Sequence, residues 1–258
     1  MMYTKSELFE LLEEKAKLYN QPAFIETDPI QIPKFFSKKE NIEIAGFLTA
    51  SIAWGQRPVI ISNAKKLIHL MDNDPYEFLL HTDERDWQHL ESFKHRTFNN
   101  VDLLFFLKSL KNIYLNHGGL ESVFNHGFQS NHSIFAALIN FRRVFFEIDF
   151  PSRTEKHISN VTKNSSAKRL NMFLRWMVRK DQTGVDFGLW KDIPASALML
   201  PLDVHTGNIS RGLGLLTRHQ NDWKAVEEIT AVLRGFDPLD PIKYDFALFG
   251  MGAFENHK

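Results

Sequence analysis

Lys168 and Asp203 are the side chains of this 258-residue chain whose types and settings suggest chemistry. Lys168 falls in the first turn of an expected helix, in the run SSAKRLNMFLRWMVRKD. A helix N-terminus and the adjacent Arg169 both favour a neutral amine there, which is the form a Schiff-base nucleophile needs. The same setting suits a phosphate-contacting or simply solvated lysine. The residues alone do not choose Lys168 over Lys163 or Lys180. Asp203 follows Pro201-Leu202 and is placed as a helix N-cap. It reads either as a plain cap or as a carboxylate held at the positive end of a helix and aimed at a developing cation. Asp203-Val204-His205 has no companion cluster of the HExxH kind, so no metal is expected, and His205 reads as a first-turn helical residue.

Charge narrows the partners. The chain carries 31 Lys plus Arg and 31 Asp plus Glu. Zero formal net charge speaks against an overall basic binder or a polybasic membrane-surface protein. The distribution is uneven, however. From Lys156 to Lys180 there are seven cations and no acid. At about 100° per residue, Lys168, Arg175 and Arg179 share one row, opposite Leu170, Phe173, Leu174 and Met177. The expectation is an exposed basic ridge suited to phosphates, set against a plain solvated face near a helix C-terminus.

The elements that must position these groups are helical almost throughout. Thr4 with Glu7 and Ser37 with Glu40 read as capping boxes. Pro58 stands where a first helical residue belongs, and Asp74-Pro75, Asn100, Ser133, and Ser165 or Ser166 open further helices. Asp203, Asn221 and Asp240 precede three more, the last with Pro241 at its start. No stretch alternates with period two. The expected class is all-α, about ten helices in two subdomains, with the 23 phenylalanines mostly in the core. One subdomain is placed at 40–180 and the other at 1–39 with 181–258. Absence of cysteine excludes disulfides, zinc-thiolate sites and cysteine-ligated iron–sulfur clusters. No cofactor is expected. The opening residues do not read as a signal peptide, and the longest mostly apolar stretch, Ile44 to Gly55, is too short to span a bilayer. A soluble, cytoplasmic monomer is the expectation.

PLDVHTGNISRGLGL resembles the segment that carries the catalytic aspartate in the helix–hairpin–helix DNA glycosylases, the superfamily of endonuclease III, adenine glycosylase and 8-oxoguanine glycosylase. Three further stretches agree in order. IAGFLTASIAWGQRP is similar to the early helix ending in a glutamine turn. WKAVEEITAVL is similar to the helix after the aspartate helix, and YDFALFGMGAF to the closing helix near the base pocket. FLRWMVRKD, PLDVHTG and YDFALFGMGA also resemble an uncharacterised bacterial family, and the chain is identified as a member of it, distantly related to the glycosylases. One departure stands out. The superfamily has a Leu-Pro-Gly-Val-Gly hairpin before its lysine, whereas HISNVTKNSSAKRL has no glycine.

The resemblance implies a base-excision glycosylase with abasic-site lyase activity, acting on damaged duplex DNA. It assigns Lys168 as nucleophile and Asp203 as its carboxylate. Gln56 and Arg57 would fill the gap left by a flipped base, and Trp54, His205 and Phe249 would line its pocket. Lys163, Ser165, Ser166, Arg175 and Arg179 would hold the DNA backbone. A non-catalytic nucleic-acid-binding helical module, and a helical scaffold or small-molecule enzyme unrelated to DNA, are the competing readings.

Overall fold

The computed structural model describes residues 3–255. Twelve α-helices make up most of them: α1 Lys5–Tyr19, α2 Pro22–Thr27, α3 Lys39–Ser51, α4 Arg57–His69, α5 Pro75–His81, α6 Asn100–Asn116, α7 Leu120–Gln129, α8 Ile134–Phe145, α9 Lys168–Val178, α10 Val204–Gly212, α11 Trp223–Arg234 and α12 Tyr244–Phe254. Short 3₁₀ turns link them. Among the described residues the helical expectation is departed from by a small antiparallel hairpin, β1 Lys94–His95 and β2 Phe98–Asn99, with Lys94 opposite Asn99. Its strands are too short to show alternation in the sequence. Among the described residues no helix is long and apolar enough to cross a membrane.

Local capping sets many of the helix starts. Thr4 and Glu7 form the expected capping box at α1, and Asp74 and Ser133 cap α5 and α8. Ser37 does not cap α3. The cap position falls one residue later, on Lys38, whose side chain pairs with Glu77 at 2.7 Å rather than with the helix backbone. Similarly, Asn221 gives way to Asp222 as the cap of α11.

The chain divides into two compact units. One is Ile25–Asn160. The other joins the described residues through Phe24 to those from Val161 onward. The expected subdomain boundaries lay at 39/40 and 180/181, so α9 groups with the C-terminal segment instead of the central one.

In the Ile25–Asn160 unit, aromatic rings interlock as a core. Phe47 packs on Phe106, Phe141 and Phe145, and Phe124 stacks on Phe141 with ring centres 4.4 Å apart. α7 approaches α8 at Gly127, where a Cβ would stand 2.8 Å from the Ala137 Cα. In the other unit, α12 is apolar nearly all round and packs against both α1 and α10. Its two glycines permit that. A Cβ on Gly250 would meet the Tyr19 ring at 2.1 Å, and one on Gly252 would lie 3.1 Å from the His205 Cβ. The Tyr244 hydroxyl donates to Glu13, 231 residues earlier in the chain.

Candidate functional site

α9 starts at Lys168 after an abrupt turn. Asn164 and Ala167 both take left-handed backbone, with φ of 63° and 49°. Asparagine tolerates that region, and an alanine there is strained. The turn is braced from α11: the Asn164 side chain donates to Asp222 at 2.7 Å, and the Trp223 amide donates to the Asn164 carbonyl at 3.1 Å. The cap position is Ala167, with no side-chain cap. Ser165 and Ser166 therefore do not cap α9. The Ser165 hydroxyl accepts instead from the Ala167 amide within the turn, and the Ser166 carbonyl accepts from the Asn171 side chain. Lys163 ends a 3₁₀ turn at the surface.

Asp203 caps α10 as expected, and its two oxygens divide the work. Oδ1 accepts from the Thr206 amide at 3.0 Å, while the Asp203 amide donates to the Thr206 hydroxyl at 2.8 Å. Oδ2 faces the Lys168 Nζ at 3.8 Å. Both side chains are partly open to solvent, at 28% and 22% exposure. The Asp203 carbonyl is fixed in turn by Asn221, which donates to it at 3.0 Å and accepts from Arg211. The lysine and the aspartate thus meet, each placed by the first turn of its own helix.

A second acid, which sequence reasoning did not select, completes the group. Asp245 lies in the first turn of α12, is 5% exposed, and pairs with Arg175 of α9. Burial, reinforced by the nearby Asp203 carboxylate, pushes the Asp245 carboxyl up to about 6, against the pull of Arg175 and Lys168. An acid inside the apolar run YDFALFGMGAF was the available signal, since a buried carboxylate demands a partner.

The basic ridge expected on α9 is absent. Arg175 and Arg179 are 4% and 2% exposed, and every residue from Leu170 to Val178 is buried. The row of Lys168, Arg175 and Arg179 exists but turns inward. Arg175 pairs with Asp186 at 3.2 Å as well as with Asp245. Arg179 pairs with Asp181, Asp186 and Asp240 at 2.6, 2.9 and 3.0 Å. Both guanidiniums also lie over the Phe246 ring. The acids missing from the local sequence arrive from later segments, so these two arginines brace the site and are not phosphate contacts. Only Lys168, at the open end of the row, reaches solvent.

The remaining candidates are distributed between the units. Gln56 is the exposed residue that precedes α4, and Arg57 begins that helix. Trp54 is half-buried, edge-on to His95 at 5.1 Å and stacked on His157 at 5.9 Å. All three belong to the Ile25–Asn160 unit, whereas His205 and Phe249 belong to the other. His205 is exposed in the first turn of α10, and Phe249 is half-buried against Phe24 and Phe254. Among the described residues no group of three or more His, Asp or Glu side chains has a metal-binding arrangement.

The match to a known family spans most of these elements. A family model described as "Protein of unknown function (DUF2400)" matches residues 28–254. The chain belongs to that family. No curated protein and no solved structure matches it. The family match takes in Lys168, Asp203 and Asp245 together with all the buried partners of Arg175 and Arg179.

Proposed function

We propose that this member of the family is a DNA base-excision glycosylase with abasic-site lyase activity, built on a helix–hairpin–helix glycosylase-like fold. The observation that carries the reading is the 3.8 Å approach of the Lys168 Nζ to the Asp203 Oδ2 at a partly open position. The turn before α9 supports it. Asn164 and Ala167 take left-handed backbone there, a conformation that glycine ordinarily supplies.

In the proposed reaction the Lys168 amine attacks the sugar anomeric carbon. The Nζ–carbon bond forms as the glycosidic bond breaks, and the base departs with the bonding electron pair. Oδ2 of Asp203 first stabilises the positive charge on the sugar ring and then accepts the amine proton, much as paired carboxylates act in glycoside hydrolysis. Ring opening gives an imine. Loss of a proton from the adjacent sugar carbon then expels the 3′ phosphate and nicks the strand. Asp245 and Arg175 hold the charge balance behind the pair. Gln56, Arg57 and Trp54 in one unit, and Lys163, His205 and Phe249 in the other, are proposed to meet the DNA.

Borohydride trapping on duplexes with an abasic site or an oxidised base tests this. The expected result is a covalent protein–DNA complex that Lys168→Gln abolishes. No complex with any substrate, or undiminished trapping by that variant, overturns the lyase reading. A non-catalytic nucleic-acid-binding module is the second reading, favoured by the glycine-free turn. It predicts DNA binding without trapping. A scaffold or small-molecule enzyme unrelated to DNA is the third reading, which a Lys168–Asp203 separation well beyond about 8 Å would have favoured.

A further inference from the structure

The β1–β2 hairpin holds a cation in a costly conformation. His95 pairs with Phe98, so the loop is the two residues Arg96 and Thr97. Arg96 has φ of 56°, and Thr97 is not left-handed. A positive φ at the first position of a two-residue hairpin loop ordinarily selects glycine. An arginine there is strained, and strain of this kind persists where a side chain is needed for function. Arg96 is exposed, and its guanidinium makes no ion pair among the described residues.

The guanidinium packs beside backbone and has no acidic neighbour pairing with it among the described residues. It lies over Gly55, where a Cβ would come within 2.8 Å of its Nη1, so a side chain at Gly55 would displace it. Gly55 itself has φ of 109°. Arg153 braces the loop from behind. Its Nη2 donates to the Thr97 carbonyl at 3.1 Å and pairs with the buried Asp102 at 3.2 Å. Lys156 is three residues further along the same 3₁₀ turn, which sets it above Arg153. Lys94 is exposed on β1, and Glu155 of that turn is taken up by Arg142. Gln56 and Arg57 follow Gly55 directly.

We propose that this hairpin face is a docking surface for the phosphate backbone of nucleic acid, with Arg96 as its principal contact. The proposal rests on the base-excision reading for its choice of partner, but its principal contact, Arg96, lies in the unit that does not hold Lys168 and Asp203. A guanidinium fork flanked by exposed lysines matches phosphates set along a strand. An anionic membrane surface would instead call for a dense polybasic run or an apolar wedge, which this hairpin lacks.

Arg96→Gly is the decisive variant, because glycine relieves the strain while removing the contact. Binding of the full chain to a fluorescent duplex is followed by anisotropy over a salt series, alongside thermal unfolding. The expected result is a several-fold loss of affinity, a salt slope lower by about one, and a Tm equal to or above that of the wild type. Affinity unchanged in Arg96→Gly, or a Tm clearly lowered, overturns the proposal. Phosphatidylserine vesicles and polyglutamate are the control partners. Arg96-dependent binding to either that matches the binding to DNA overturns the assignment to nucleic acid. Trapping separates the two ideas. Failure of wild-type trapping together with weakened duplex binding by Arg96→Gly removes the lyase reading and leaves this surface standing, and the converse pattern does the reverse.

Discussion

Arginines occupy two opposite situations in this molecule. Arg175 and Arg179 sit at 4% and 2% exposure among Asp181, Asp186, Asp240 and Asp245. Arg96 stands at the surface on a strained loop, with Arg153 holding that loop through a carbonyl and one buried carboxylate. Burial removes hydration from a guanidinium, and only multiple carboxylates at close range make up for it. The α9 arginines are consequently committed to their partners and cannot serve a ligand. The hairpin arginine keeps its hydration, and its charge stays available. Placement relative to distant acids, more than the number of cations in a segment, decides which arginines can recognise an anion.

The comparison is most easily broken at its buried end. Arg179→Ala takes the arginine from Asp181 and Asp240 and leaves Asp186 with Arg175 alone, and a loss of about 3–5 kcal/mol is expected in urea unfolding. A loss below about 1 kcal/mol would show that the network is wetter than its burial implies. Asp245→Asn sharpens the same point through pH. The Asp245 carboxyl is raised from 3.8 to about 6 in the folded chain. Across that interval the folded state binds a proton that the unfolded state has lost, so this group's contribution to stability falls as pH rises. The variant should therefore gain on the wild type between those pH values, as measured by Tm, and a constant difference would refute the shift.

Asp203 tests whether capping and chemistry separate on one side chain. Asp203→Ala removes the acceptor for the Thr206 amide and should cost about 1 kcal/mol along with trapping. Asp203→Asn retains a capping oxygen, so it should keep most of the stability while trapping is still lost. The smallest effect is expected at the exposed end. Lys156→Ala should change stability by no more than about 0.5 kcal/mol, and a larger change would place Lys156 in a network like that of α9.

What could be read in the sequence follows the range of each interaction. The caps at Thr4, Asp74, Ser133 and Asp203 depend on residues three positions apart, and they form as the sequence suggests. Ser37 and Ser165 do not cap because the helices start one and two residues later, at cap positions held by Lys38 and Ala167 without a side-chain cap. The angular row of Lys168, Arg175 and Arg179 was readable from helix geometry. Its direction was not, because Asp240 and Asp245 arrive from more than sixty residues away. Lys168 and Asp203 were paired by resemblance to the glycosylases and not by their spacing. Arg96 gave no signal at all, since its backbone conformation is set by a hairpin whose strands have two residues each.

The contact of α1 with α12 also has a consequence in time. Tyr244 reaches Glu13 across 231 residues, and Gly250 receives the Tyr19 ring. On the ribosome α1 emerges early and has no α12 to pack on. At about 5–20 residues per second the wait is on the order of ten to fifty seconds. The Ile25–Asn160 unit is complete in sequence well before that and can fold while α1 still waits. Closure of α1 on α12 is then a late event, and until it happens the growing chain carries α1 as an amphipathic helix without its α12 partner.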